Sequence, residues 1–106
     1  MRAVATPSHS KPIDLDELRA RRDELIAIAA RRQARHIRVF GSVARREQRP
    51  GSDVDFLVAF EAGASLLDQV HLIDDLAEAL GTPVDVVGEG GLLDRDDHIR
   101  REAVAL

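Results

Sequence analysis

Asp53 to Phe60, which reads Asp-Val-Asp-Phe-Leu-Val-Ala-Phe, constrains this chain more than any other stretch. The turn composition Arg49-Pro50-Gly51-Ser52 precedes it, and its apolar alternation reads as a strand. Strand residues two apart point the same way. Asp53 and Asp55 therefore lie side by side while Val54, Phe56, Val58 and Phe60 fill the opposite face. Two parallel carboxylates repel, and a chain holds such a pair at the mouth of an apolar strand most readily when a hard cation neutralises it. Mg²⁺ takes carboxylate oxygens together with the phosphates of a substrate. Gly41-Ser42 stands upstream, separated from Asp53 by ten residues. The glycine lets backbone N–H groups come close to phosphate oxygens, and the serine adds a short hydroxyl donor at a helix start. Metal and phosphate would meet at one place, which is what nucleotidyl transfer requires.

At 106 residues the chain is expected to be one domain, with room for a core but not for division. Its 44% hydrophobic and 32% charged residues are a globular composition. No apolar run approaches the roughly 18 residues that span a bilayer, and the opening MRAVATPSHSKP lacks the apolar core of a signal peptide. A cytoplasmic protein with no membrane partner is expected. Zero cysteines remove disulfides, thiolate catalysis and thiolate metal sites, leaving carboxylates and histidine as ligands. With no Tyr or Trp and three Phe, the chain lacks the aromatic platforms on which bases stack, so direct nucleic-acid binding is not expected.

Charge is divided along the chain. Residues 1–50 hold 12 of the 15 basic and 6 of the 19 acidic residues; residues 51–106 hold 3 and 13. Arg45, Arg46 and Arg49 follow the Gly-Ser turn, where a triphosphate could use their guanidinium forks. Arg19, Arg21, Arg22, Arg31, Arg32 and Arg35 read more simply as the solvated face of a helix.

Residues 1–12, with Pro7 and Pro12 and no periodicity, are expected to be a flexible tail before a domain over 13–106. Asp14 with Glu17 resembles a capping pair, and Leu15, Leu18, Leu25, Ile28 and Ala29 predict one helix to about Gln33. A short strand over His36 to Phe40 leads into the Gly41-Ser42 turn and a brief helix to about Glu47. Ser65 caps a long helix whose expected apolar stripe is Leu66, Leu67, Val70, Ile73, Leu76, Ala77 and Leu80, and Gly81 ends it. Val84 to Val87 is a third strand, Gly88 to Gly91 a loop, and Asp94 to Ala103 a closing helix with Asp94, Asp96 and Asp97 at its positive end. His9, His36, His71 and His98 have no ligand spacing and read as surface residues.

Val-Asp-Val-Val is an apolar strand with one acid, Asp85, and a carboxylate is rarely buried without a partner. If the third strand lies beside the second, Asp85 projects from the face of Asp53 and Asp55. Three converging carboxylates can hold two divalent cations for in-line displacement at phosphorus. Asp85 would then stand nearest the incoming hydroxyl, ready to take its proton.

FGSVARREQRPGSDVDFLVAF, with PVDVV further on and the ending GLLDRDDHIRREAVAL, resembles the minimal nucleotidyltransferases (MNT) of the DNA polymerase beta superfamily, which act as antitoxins beside HEPN toxins. The resemblance runs from about residue 13 to the end. It implies an α+β (α/β) fold with a short mixed sheet backed by helices, Mg²⁺ as cofactor with two ions, and ATP as the nucleotide. It also implies transfer of AMP to a protein hydroxyl, a tyrosine of the HEPN-type toxin encoded next to it. By position, Gly41, Ser42 and Arg45 would hold the nucleotide, and Asp53, Asp55 and Asp85 would bind metal and perform catalysis. Two positions depart from the family pattern: Arg46, often glycine in relatives, and Gly51, often aspartate. Two other functions remain open at this point. One is an antitoxin that works by binding alone; the other is transfer to a small molecule, against which stands the lack of a second domain to form an acceptor pocket.

Overall fold

The computed structural model describes residues 13–106. The expected tail at 1–12 lies outside the described residues. Four strands form one mixed sheet in the order β3-β2-β1-β4: β1 (Ala34–Phe40), β2 (Val54–Phe60), β3 (Val84–Gly88) and β4 (Val104–Ala105). β1 is antiparallel to both β2 and β4, whereas β2 and β3 run parallel, joined by the long helix α4 (Leu66–Leu80). The mixed sheet expected from the family resemblance is therefore the fold. No helix among the described residues is long and apolar enough to cross a membrane.

One face of the sheet is the core. Phe56, Val58 and Val39 are fully buried with Val86, under Leu25 and Ile28 of α2 (Arg22–Arg31) and Leu72, Leu76 and Leu80 of α4. Leu15 and Leu18 of α1 (Leu15–Ala20) join the same cluster. Asp14 caps α1, its carboxylate accepting the Glu17 N–H at 2.7 Å.

The single helix expected from Leu15 to Gln33 is two helices, α1 and α2, broken at Arg21 (φ −105°, ψ 19°). Leu18 and Leu25 are seven apart, two full turns, so the periodicity runs through the break without revealing it. At the break the Arg21 guanidinium donates two bonds of 2.9 Å to Glu24, three residues on, and one tertiary bond of 2.9 Å to the Ala79 carbonyl. Other arginines read as a solvated face also have partners. Arg32 pairs with Asp75 at 2.7 Å, Arg35 with Glu61 at 3.0 Å, and Arg19 donates to the Ala105 carbonyl.

α4 starts with the capping box of Ser65 and Asp68 and ends at Gly81 in the left-handed conformation (φ 68°). Its buried row is Leu72, Leu76 and Leu80: of the expected stripe Leu76 and Leu80 are buried and Ile73 packs against the core, while Leu66, Leu67 and Val70 are exposed. Leu66 and Leu67 are 76% and 64% exposed, because the helix meets the sheet only beyond its first turn, where Gln69 Nε2 donates to the Val86 carbonyl at 2.8 Å. After β3 come two turns of 3-10 helix, Glu89–Gly91 and Asp94–Asp96, and then α5 (Asp97–Glu102), so the closing helix is shorter than expected. Asp96 accepts the Leu93 N–H, while Asp97 pairs with Arg101 along the helix.

Candidate active site

β2 begins at Val54, so Asp53 stands just before the strand and Asp55 is its second residue. Neighbouring strands place Phe40 opposite Asp55 on one side and Asp85 opposite it on the other. Parallel register pairs Asp55 with Asp85 directly, and strands in a sheet lie about 4.8 Å apart. The expectation that the third strand lies beside the second therefore holds, and Asp85 shares the face of Asp55. Asp55 is half-buried, while Asp53 and Asp85 are exposed.

Burial pushes the Asp55 carboxyl above the ordinary aspartate range, and the negative charges of Asp85 and then Asp53 push it further; Arg45 acts the other way and Glu102 adds to the rise. Asp55 thus feels both other acids, yet among the described residues no three Asp, Glu, His or Cys side chains close into a metal-holding cluster. Asp85 Oδ1 instead accepts the N–H of Val86 at 3.0 Å. As a donor set, Asp55 and Asp85 on adjacent strands, with Asp53 just before β2, suit a hard divalent cation. His36, His71 and His98 are exposed and far apart in the chain, as expected of surface residues; His9 lies outside the described residues.

Gly41 opens the one-turn helix α3 (Gly41–Ala44) with φ 76°, a left-handed value that favours glycine. Its lack of a side chain serves a second purpose, since a Cβ there would overlap the carboxylate of Asp55. The Gly-Ser turn and the Asp-x-Asp strand are therefore in contact: this glycine admits the close approach of the acid. Ser42 is half-buried beside it. Arg45, at the C-terminal end of α3, donates from Nε to Glu47 and from Nη1 to Glu102, each at 3.0 Å. Arg46 does not face the acids; it pairs with Asp16 at 3.2 Å, and Arg49 is exposed in the following loop.

The two departures from the family pattern have a backbone meaning. Arg46 has φ 58°, so it occupies a conformation for which glycine is better suited, and Gly51 has φ 85°, where glycine is well placed. Sequence reasoning missed Glu102, whose carboxylate accepts the Gly41 N–H at 2.8 Å. One signal was available: an acid at the last position of a helix opposes the helix dipole and so calls for a partner.

The family model described as nucleotidyltransferase domain matches residues 22–104. A protein of Methanocaldococcus jannaschii, named a putative protein adenylyltransferase, is 45% identical over 64 residues, which cover 60% of this chain and 69% of that protein. A solved structure of a putative minimal nucleotidyltransferase is 48% identical, with a TM-score of 0.80, and the match covers 94% of this chain and all of that one. A toxin-antitoxin crystal structure with AMP-PNP is 25% identical, with a TM-score of 0.59, over 67% of this chain and 59% of that one. The matched segments span 59% to 69% of the curated relatives. The chain belongs to the nucleotidyltransferase domain family, among its minimal nucleotidyltransferases.

Proposed function

We propose that this chain is an antitoxin that transfers AMP from ATP to a hydroxyl, a tyrosine, of a HEPN-type toxin encoded beside it in the same cytoplasm. The observation that carries this reading is the row formed by Gly41, Asp55 and Asp85, in which the Gly-Ser turn touches one carboxylate and the parallel register sets the second beside it. The names of the similar proteins, a protein adenylyltransferase and a toxin-antitoxin complex with an ATP analogue, support the nucleotide and the partner class.

In this reading Asp53, Asp55 and Asp85 hold Mg²⁺, two ions in all, which when bound neutralise the acids and the phosphate oxygens. Gly41, Ser42 and Arg45 orient the triphosphate. The acceptor oxygen bonds to the α-phosphorus as the bond to the pyrophosphate oxygen breaks, pyrophosphate leaves, and Asp85 accepts the hydroxyl proton at the exposed edge of the sheet. The test is to co-express the chain with its neighbouring helical protein and weigh that partner. A mass increase of one or more AMP groups on a tyrosine, absent with Asp53→Asn/Asp55→Asn, is expected; an unmodified partner that is nonetheless neutralised would overturn the enzymatic reading.

One observation favours a second reading, neutralisation by binding alone. Asp85 Oδ1 is engaged by Val86 and, among the described residues, the acids do not close into a metal-holding cluster, so they must move together before they act. Full protection of cells by the doubly substituted variant is the outcome that selects it.

A further inference from the structure

Glu102 is the last residue of α5, and its side chain is only 25% exposed. Each of its carboxylate oxygens has its own partner: Oε2 accepts the backbone N–H of Gly41 at 2.8 Å, and Oε1 accepts from Arg45 Nη1 at 3.0 Å. These partners are the two ends of α3. Gly41 is its first residue and Arg45 its C-cap, so one carboxylate spans the whole turn.

A four-residue helix has little hold on its own position. α3 closes through the Arg45 N–H to the Gly41 carbonyl at 3.1 Å, and its next bonds run from Arg46 and Glu47 back into the same turn. A single helical turn is marginal without outside support. Charge-assisted bonds from a carboxylate are among the stronger supports available, and this one pins both ends to α5. What it pins is the backbone on which the Asp55 carboxylate rests, since no Cβ fits between Gly41 and that acid. A small displacement of Gly41 would open the contact with Asp55 and carry Ser42 with it.

Glu102 also directs Arg45. Two carboxylates hold that guanidinium, Glu47 through Nε and Glu102 through Nη1, and Glu47 is only two residues away on the same exposed loop. Glu102 is the longer-range partner, so it fixes which way the guanidinium extends from α3. Placing a further carboxylate near Asp55 is electrostatically costly, and a neutral side chain could accept the Gly41 N–H without that cost. The carboxylate adds what the neutral group lacks: simultaneous hold on Arg45.

We propose that Glu102 is a positioning residue of the nucleotide site, clamping the Gly41–Arg45 turn against Asp55 and orienting Arg45 for the phosphates. This rests on the assignment of Gly41, Ser42 and Arg45 to the nucleotide. Glu102 touches neither nucleotide nor acceptor; it acts through Gly41 and Arg45.

Calorimetric titration with Mg-ATP tests the clamp, together with thermal unfolding of the unliganded proteins. Glu102→Gln keeps the side-chain volume and an acceptor for Gly41 but turns an uncharged amide toward Arg45. It should leave the unliganded melting temperature within a few degrees and weaken Mg-ATP affinity roughly tenfold, the loss of one bond between charged groups. In an Arg45→Ala background the same substitution should weaken affinity much less, because the group through which it acts is gone. Wild-type affinity in Glu102→Gln, or a full additional loss in the Arg45→Ala background, overturns the clamp while leaving the nucleotide reading intact. If Glu102→Gln unfolds, Glu102→Asp, which keeps the charge but is one methylene too short to reach both partners, replaces it with the same expected loss. If the folded wild-type chain takes up no Mg-ATP, the nucleotide reading fails and the clamp fails with it.

Discussion

The two faces of β2 make the clearest contrast in the molecule. Val54, Phe56 and Val58 look toward the helices and are at most 1% exposed, whereas Asp53, Asp55 and Ala59 look the other way, Asp55 against Gly41 of α3, and keep some access to water. Leu57, also fully buried, lies on the acid face, so that face is not simply polar. It is apolar at Leu57 and acidic only at the end nearest Gly41. The strand's period of two separates a face that stabilises the fold from one whose charges oppose it. The difference teaches that the acids need not be structural: the core is complete without them, and no charged or polar residue is buried among the described residues.

Substitutions on the two faces should therefore fail in different ways. Phe56→Ala should cost about 3–5 kcal/mol of stability, the range for emptying an aromatic side chain from a core. Urea denaturation reads it directly, and a cost below about 1 kcal/mol would mean that Phe56 is not the centre of the packed face. Asp53→Asn and Asp55→Asn should each leave the circular dichroism spectrum unchanged and, under the proposed function, lower AMP transfer to the partner by roughly 10²-fold or more, the usual worth of positioned charge at a reacting phosphate. Undiminished transfer from labelled ATP by either variant breaks the contrast from the other side.

How much of this contrast could be read from the chain alone depended on how local its causes are. β2, its two acids and the capped α4 were legible because alternation, Ser65 and Gly81 are local signals. The pairing of Asp85 with Asp55 followed from one assumption about strand order, which the parallel register bears out. β4 was not legible, since two residues carry no period, and neither was the break at Arg21, which coincides with a bond to Ala79 across the tertiary structure. Leu72 was missed for the same reason: composition makes Leu66 and Leu67 equally good core candidates, and only the position of α4 on the sheet separates them. Glu102 lies 61 residues from Gly41, and no spacing rule connects them.

A smaller effect sharpens the claim that the acid face opposes folding. The folded state raises the Asp55 carboxyl above 3.8, chiefly by burial and next by the charges of Asp85 and Asp53. A raised aspartate means that the native state binds its proton more tightly than the unfolded chain does. Its contribution to stability is therefore fully present below the ordinary value and is lost as pH rises through the folded one. At neutral pH, without divalent cations, Asp55→Asn should melt higher than the wild type, and the gap should close as pH falls to about the ordinary aspartate value. Mg²⁺ should narrow it from the other direction by binding the native wild type. A variant that melts lower than the wild type at neutral pH would show that Asp55 supports the fold.

The smallest expected effect lies at the edge of this region, where α3 hands the chain to the loop before β2. Arg46 sits at φ 58°, and an L-residue in that conformation costs roughly 1–2 kcal/mol. Its compensation is an ion pair with Asp16 at 3.2 Å between side chains 53% and 73% exposed, a weak contact that solvent screens. Arg46→Gly loses the pair and relieves the backbone; Arg46→Ala loses the pair and keeps the strain. Glycine gives back part of the gain through the greater freedom of the unfolded chain, so Arg46→Gly should fall within about 1 kcal/mol of the wild type. Arg46→Ala should be less stable than Arg46→Gly by about 1 kcal/mol. The Ala-to-Gly gap is the informative quantity, because the ion pair is absent from both variants and cancels. Equal stabilities, or alanine above glycine, would mean that the turn after α3 does not hold this conformation in solution and that its geometry is set by the Arg46–Asp16 pair instead.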